Sequence, residues 1–425
     1  MAQNFFKITG EDGERRLKGT ITVGGAKNAA LKVMAASVLF EDGIEIENVP
    51  EIEDVVRLEE LLTGLGAHIE KSKNKRKIIL PKKFKTDLLS EPAKAMRASI
   101  VLTGPLLART GRVSFPNPGG CNFGNRPIDL FLEGFKKMGA TIKSEGENYV
   151  AEAPYGLSAM EFFFKVQSHT GTETLMMAAT LAKGTTTLKN CALEPEVKSL
   201  AEYLNSCGAK ISGAGTSTIT IVGGNTLSSG KKIYKTMPDR IEAGSFMIIG
   251  ALAAEKLTIE NCVPEHLEIV TEILRTAGVK VETGKNEVTV YGEKNLKAVN
   301  VRTHEYPGLP TDLQAPIAVF LTQAKGESAL FETIYEERLG YIPDLVSMGA
   351  NIKIQDSHRA LIKGPTALVG KKIKAPDLRA GIAFITAAIV AKGESIIENA
   401  YIVDRGYENI AERLSAIGAK IKRID

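Results

Sequence analysis

Six times along this chain a helix-like stretch runs into a glycine followed by a small residue and then a strand. The junctions are Leu65-Gly66-Ala67, Met138-Gly139-Ala140, Cys207-Gly208-Ala209, Ala277-Gly278-Val279, Met348-Gly349-Ala350 and Ile417-Gly418-Ala419. By subtraction of residue numbers, successive glycines lie 73, 69, 70, 71 and 69 positions apart. So regular a period belongs to the fold, because every unit must set the same elements in the same order. Glycine suits the point where a helix stops, since it takes left-handed backbone without a Cβ clash. The repeat also supplies a baseline. Residues that fit it explain the fold, and charges that interrupt it at equivalent points need another reason.

At 425 residues the chain is too long for one ordinary core. Its 44% apolar and 24% charged content is that of a soluble globular protein, and a net charge of +4 argues against a dedicated nucleic-acid binder. The basic stretch from Lys71 to Lys85 reads as a solvated hairpin. The first residues, Met1 to Lys7, lack the charged-then-apolar pattern of a signal peptide, and apolar runs such as Ile382 to Ala391 fall short of a membrane span. Four cysteines in a chain this long form no disulfide framework, so a cytoplasmic location with reduced thiols is expected.

Each unit opens with an almost wholly apolar segment of helical period: 29–39, 98–108, 173–182, 244–254, 315–322 and 381–391. A strand follows, then a loop, an amphipathic helix, the glycine junction and further strands. Helices apolar on every side are expected to be buried on every side. Six units divide three and three, with the break near Tyr234 to Pro238. The expectation is an α/β protein of two similar domains, residues 28–237 and a discontinuous partner made of 1–27 plus 238–425. The strand-like segment from Arg16 to Val23 has no neighbour of its own and is expected to pair back into the second domain.

At the starts of the apolar helices stand Lys27-Asn28, Met96-Arg97, Thr170-Gly171-Thr172, Asp239-Arg240, Thr311-Asp312 and Asp377-Leu378-Arg379. Asp and Thr cap free amides there. Lys27, Arg97 and Arg379 do not belong, since a cation at the positive end of a helix dipole is unfavourable. An anionic ligand among them would remove the conflict. The alternative is that the side chains snorkel to water.

A second recurrent position is the loop after the first strand, which offers Cys121 and Arg126, Glu194 and Glu196, Glu265 and His266, Glu337 and Arg338, and Asp404 and Arg405. In the second unit this loop is long and rich in proline and glycine, the pattern of a lid or binding segment. Cys121 lies in it, five residues before Arg126, and a nearby cation favours the reactive thiolate. Spacing alone leaves that reactivity open. Cys191, Cys207 and Cys262 stand among apolar neighbours and read as packing. The histidines show no metal-ligand spacing. The run from Gly224 to Lys232 imitates a phosphate loop but lacks its terminal Ser or Thr, and reads as a hairpin turn.

The motifs Gly25-Ala26-Lys27-Asn28-Ala29, Met96-Arg97-Ala98-Ser99, Pro118-Gly119-Gly120-Cys121, Gly124-Asn125-Arg126-Pro127-Ile128-Asp129-Leu130, Pro238-Asp239-Arg240-Ile241-Glu242, Thr311-Asp312, Leu378-Arg379-Ala380 and Asp404-Arg405-Gly406-Tyr407-Glu408 occur in order and in register with the repeat. In these the chain resembles, over essentially its whole length, the enolpyruvyl transferases of the UDP-N-acetylglucosamine 1-carboxyvinyltransferase branch, which open peptidoglycan precursor synthesis. The resemblance implies two inside-out α/β barrel domains with the substrates between them and closure over the nucleotide sugar. It implies transfer of the enolpyruvyl group of phosphoenolpyruvate to the sugar 3-hydroxyl, with phosphate as coproduct and neither metal nor organic cofactor. It further implies that Lys27, Arg126 and Arg405 hold phosphoenolpyruvate, with Asn28 and Arg379 beside them. Asp312 would be the base toward the sugar hydroxyl, and Cys121 the proton donor that can also bond to phosphoenolpyruvate. Asn28, Arg97, Arg126, Pro127, Ile128, Asp129, Leu130, Lys165, Ser168, His169, Thr170, Asp312 and Ile334 would meet the sugar nucleotide. The partners are then these two small molecules, with no nucleic acid and no membrane insertion.

Two departures bear on nucleotide recognition. Ser168-His169-Thr170-Gly171-Thr172 stands where the family usually has Ser-Val-Gly-Ala-Thr, and Glu337 stands where asparagine is commoner. His169 adds a group that gains charge near its ordinary pKa of ~6.5, so it either strengthens nucleotide binding as pH falls or points into solvent. Two other functions share the pattern in part. The sister enzyme acting on shikimate 3-phosphate lacks the Gly-Gly-Cys lid and the Arg-Pro-Ile-Asp-Leu stretch. A non-catalytic paralogue would be expected to lose Lys27, Cys121 or Asp312.

Overall fold

All six junction glycines are left-handed, with φ of 109° at Gly66, 91° at Gly139, 107° at Gly208, 100° at Gly278, 106° at Gly349 and 105° at Gly418. After each, the next N–H reaches back five residues: Ala67 to Leu62, Ala140 to Phe135, Ala209 to Leu204, Val279 to Leu274, Ala350 to Leu345 and Ala419 to Leu414. This Schellman bonding occupies a carbonyl that the helix end would otherwise leave open. A Cβ there would be strained, which is why glycine recurs.

The computed structural model describes residues 4–117 and 128–424. The apolar segments form the helices Lys27–Ala36, Thr103–Thr110, His169–Leu181, Arg240–Ala253, Gln314–Thr322 and Leu378–Val390. Several start ahead of their apolar stretch because the cap lies there. Ser168 accepts from the Gly171 amide, Asp239 from those of Ile241 and Glu242, and Asp377 from those of Arg379 and Ala380. The second unit differs from the single helix expected over 98–108: a 3₁₀ segment, Arg97–Leu102, precedes Thr103–Thr110. Pro105 has no N–H for the Val101 carbonyl and its ring crowds that turn, so an unbroken α-helix is disfavoured.

The described residues form six sheets, five of four strands on one plan and one, in the second unit, of three strands. In the first unit Ile44–Glu47 pairs antiparallel with Lys75–Ile79, which pairs with His68–Ser72, while Ile233–Lys235 runs parallel along the other edge. That edge strand comes from the end of the third unit, so the three units close in a ring. In the fourth unit the edge strand is Leu17–Thr22, parallel to Ala254–Glu260. A further strand, Phe5–Thr9, was not apparent in the sequence; it lies between Glu394–Glu398 and Lys420–Ile424 in the sixth unit. Basic residues after His68 do form a hairpin. The run from Gly224 to Lys232 does not: it joins strands of different sheets, Thr218–Val222 and Ile233–Lys235, and Asp42 anchors it by accepting from Ser228, Ser229 and Gly230.

The chain contacts divide into two bodies, one of residues 4–24 with 238–424, the other of 25–117 with 128–237. Lys27 thus belongs with the first three units. Each body has its own apolar core. In the discontinuous body, Arg240–Ala253, Gln314–Thr322 and Leu378–Val390 are buried along their whole lengths and pack on one another. The surrounding strands alternate buried and less buried residues, as in Glu394–Glu398. The helices are therefore interior and the sheets exterior. Among the described residues no helix is long and apolar enough to cross a membrane.

Candidate active site

In the body of the first three units, Lys27 opens a buried helix and its ammonium lies 2.9 Å from Asp54 Oδ2. Asp54 stands in the first turn of the amphipathic helix Glu53–Leu65, and its side chain is only 3% exposed. A cation at the positive helix end is thus balanced by a carboxylate of the protein itself. One turn on, Lys32 donates to the Asn28 carbonyl at 3.1 Å and to Glu173 Oε2 at 2.9 Å. Glu173 lies in the helix His169–Leu181, so this buried pair ties two helices that carry expected binding residues.

His169 does not point into solvent. Its side chain is 19% exposed and Nε2 lies 3.4 Å from Glu173 Oε2. Burial pushes Glu173 up to about 8; Lys32 opposes the shift, and Glu196 and Glu194 add to it. Ser168 spends its hydroxyl on the Gly171 amide at 3.0 Å, and Thr170 is half-buried in the same turn. A Cβ on Gly171 would lie 2.6 Å from Leu130 Cδ1, so Leu130 packs directly on this helix start. Ile128 is buried just before the helix Asp129–Lys137, whose first residue is exposed. Lys165 stands apart, exposed, with Nζ 3.7 Å from Glu133. Arg97 is half-buried at the start of its 3₁₀ segment. Cys121, Arg126 and Pro127 lie outside the described residues.

In the discontinuous body, Asp312 is the centre. Arg379 Nη2 donates to Asp312 Oδ2 at 3.0 Å, and Arg338 Nη2 approaches Oδ1 at 3.4 Å. Arg379 Nη1 lies 3.3 Å from the Tyr407 hydroxyl, which bonds in turn to Ser245 at 2.8 Å. Burial works against the charge of Arg379, but Asp312 above all raises its pKa beyond the ordinary value. Burial likewise pushes Tyr407 up to about 12, so its hydroxyl stays protonated. Ile334 is half-buried, and its N–H donates to Glu332 Oε1 at 2.8 Å. Arg405 is half-buried beside Asp404, whose carboxylate binds Arg423. Glu337 takes φ of 61°, left-handed backbone that asparagine tolerates better. An asparagine at this place would suit the backbone.

Asp54, Lys32, Glu173, Glu332 and Tyr407 were not apparent as site residues in the sequence. The signal available was slight: Asp54 and Glu173 read as ordinary members of a helix's first turns.

A family model described as EPSP synthase (3-phosphoshikimate 1-carboxyvinyltransferase) matches residues 12–414. The UDP-N-acetylglucosamine 1-carboxyvinyltransferase of Koribacter versatilis is 44% identical over 412 residues, 96% of this chain and 94% of that one. A relative in Caldanaerobacter subterraneus, named UDP-N-acetylglucosamine 1-carboxyvinyltransferase 1, is 43% identical over 407 residues, 96% of this chain and 97% of its own. Among solved structures, the enolpyruvyl transferase NikO from Streptomyces tendae superposes with a TM-score of 0.87 at 23% identity, covering 99% of both chains. An EPSP synthase from Acinetobacter baumannii superposes with a TM-score of 0.75 at 19% identity, covering 99% of this chain and 100% of its own. At such identities the structures speak for the fold, and the full-length relatives for the group within it. The chain belongs to the enolpyruvyl transferase family, among the UDP-N-acetylglucosamine 1-carboxyvinyltransferases.

Proposed function

We propose that the protein transfers the enolpyruvyl group of phosphoenolpyruvate to the 3-hydroxyl of UDP-N-acetylglucosamine, the first committed step of peptidoglycan precursor synthesis. The observation that carries this reading is 44% identity, across 96% of the chain, to a relative named for that reaction. The sugar oxygen bonds to C2 of phosphoenolpyruvate and its proton passes to the Asp312 carboxylate, while the methylene carbon C3 gains a proton. C3 then gives up a proton as phosphate leaves C2, which restores the double bond. The products are the enolpyruvyl ether and inorganic phosphate, and no step calls on a metal or organic cofactor.

In this reading Lys27, Arg126 and Arg405 meet the phosphate and carboxylate of phosphoenolpyruvate, with Asn28 and Arg379 next to them. Cys121 serves as proton donor to C3. Asn28, Arg97, Arg126, Pro127, Ile128, Asp129, Leu130, Lys165, Ser168, His169, Thr170 and Ile334 serve the sugar nucleotide. The close ion pairs of Lys27 with Asp54 and of Asp312 with Arg379 support the assignment, since each holds a reactive group in one orientation. Mass analysis of the product tests it. One enolpyruvylated sugar nucleotide is expected for every phosphate released, and phosphate without that adduct would overturn the reading.

A further inference from the structure

Five of the six units set an asparagine straight after the first strand, and in four of them, Asn48, Asn190, Asn261 and Asn399, it is left-handed, with φ of 55°, 55°, 54° and 62°. Each of these four donates its side-chain amide to a carbonyl just past the parallel edge strand, on Thr236, Phe164, Val23 and Ala375 respectively. This stitch between strand ends is a structural device of the repeat. The fifth unit breaks it. There the strand Gly326–Phe331 is followed by Glu332, and the parallel strand Val301–Arg302 by Thr303.

A carboxylate has no N–H to give, so the stitch is remade in reverse. Thr303 Oγ1 donates to Glu332 Oε1 at 3.0 Å. That uses one bond of four. The amides of Ile334 and Tyr335 donate to Oε1 at 2.8 and 3.2 Å, and Thr311 Oγ1 donates to Oε2 at 2.9 Å. Glu332 is 0% exposed, and all four donors are uncharged. Burying a carboxylate costs several kcal/mol before its hydrogen bonds are counted, and an asparagine serves the stitch elsewhere. The stitch alone therefore gives no reason for a longer side chain that takes four bonds. Its additional bonds run to Thr311, next to Asp312, and to Ile334.

We propose that Glu332 is a positioning residue for the reaction, locking the Thr311–Asp312 turn to the Ile334–Tyr335 segment so that base and sugar-binding segment keep a fixed separation. The proposal rests on the reading of Asp312 as base toward the sugar hydroxyl. Arg338, farther along the same loop, approaches Asp312 Oδ1 at 3.4 Å and depends on the same anchoring. His358 Nδ1, 2.8 Å from the Glu332 carbonyl, holds the backbone from the other side.

The test compares wild type, Glu332→Ala, Glu332→Gln, Thr311→Val and the double variant Thr311→Val with Glu332→Ala, assayed on phosphoenolpyruvate and UDP-N-acetylglucosamine. A glutamine keeps an oxygen for Thr303, Ile334 and Tyr335 and turns its NH₂ toward the Thr311 hydroxyl. Its kcat is expected within about twofold of wild type, because each bond of the carboxylate has a replacement. Displacing a reacting group by about 1 Å can cost roughly 10²-fold. Glu332→Ala and Thr311→Val are each expected to lower kcat by about tenfold or more, with the KM for phosphoenolpyruvate unchanged, and the double variant to be no slower than Glu332→Ala. Wild-type kcat in either single variant, or a Gln variant as slow as the Ala variant, overturns the proposal. Should Glu332→Ala fail to fold, the near-isosteric Thr311→Val still decides. A wild type with no turnover on this substrate pair overturns the functional reading itself, and the proposal with it.

Discussion

Arg379 donates to Asp312 across 3.0 Å from a position almost wholly inside the protein, while the Asp312 side chain is 30% exposed. One end of the pair is anchored and the other faces outward. Asp312 does not stand at the cap position: the 3₁₀ turn Thr311–Leu313 has Pro310 there. Replacing it should therefore act on chemistry more than on folding. Asp312→Asn keeps an acceptor oxygen for Arg379 but takes up no proton at neutral pH. The expected loss is about 10²–10⁴ in kcat, the range of a general base, with little change in melting. Near-native turnover would remove Asp312 from the role.

Lys27 depends on Asp54 in the same way, across 2.9 Å. A hydrogen bond to a charged group contributes about 1.5–3 kcal/mol. Asp54→Asn should accordingly lower kcat/KM for phosphoenolpyruvate by roughly ten- to hundredfold, leaving the KM for the sugar nucleotide close to that of wild type. Steady-state kinetics with each substrate varied in turn checks this. An equal effect on both substrates would speak against it.

Glu173 makes stability depend on pH with a definite sign. Its carboxyl rises from an ordinary 4.5 to about 8, chiefly through burial. A raised pKa means that the folded state holds the proton more tightly than the unfolded one. The stabilisation is fully present below 4.5 and is lost as pH climbs through about 8. Glu173→Gln stays neutral throughout. Melting of the wild type should therefore fall relative to the variant between about pH 5 and about pH 8.5. Parallel melting curves over that range would contradict the assignment.

The thiols should sort cleanly. Cys191, Cys207 and Cys262 are buried, and burial pushes Cys191 up to about 12 and Cys262 up to about 11. The thiolate is the form that reacts. Brief treatment of the native protein with iodoacetamide should label the peptide carrying Cys121 and spare the other three. Peptide mapping that finds Cys191 or Cys262 labelled first would be incompatible with this ordering.

Much of the fold was legible because it repeats. A glycine every seventy or so residues announced six helix stops, and all six proved left-handed. The strand Phe5–Thr9 was hidden because both its partners, Glu394–Glu398 and Lys420–Ile424, lie at the far end of the chain. Cations at helix starts were legible too, but the sequence accounted for them with a ligand or with water. Lys27 finds Asp54 27 positions away, and Arg379 finds Asp312 67 positions away. Neither carboxylate is marked by its local sequence, since Asp54 fits an ordinary helix first turn and Asp312 an ordinary cap. Glu332 was visible only once the stitching asparagines showed what its place in the repeat normally holds.

The most direct test of the whole account is phosphate release measured with each substrate omitted in turn, and with shikimate 3-phosphate offered in place of the sugar nucleotide. The account predicts steady release only when phosphoenolpyruvate and UDP-N-acetylglucosamine are both present, and no release with shikimate 3-phosphate. Release from phosphoenolpyruvate alone, or turnover with shikimate 3-phosphate at a comparable rate, would contradict it.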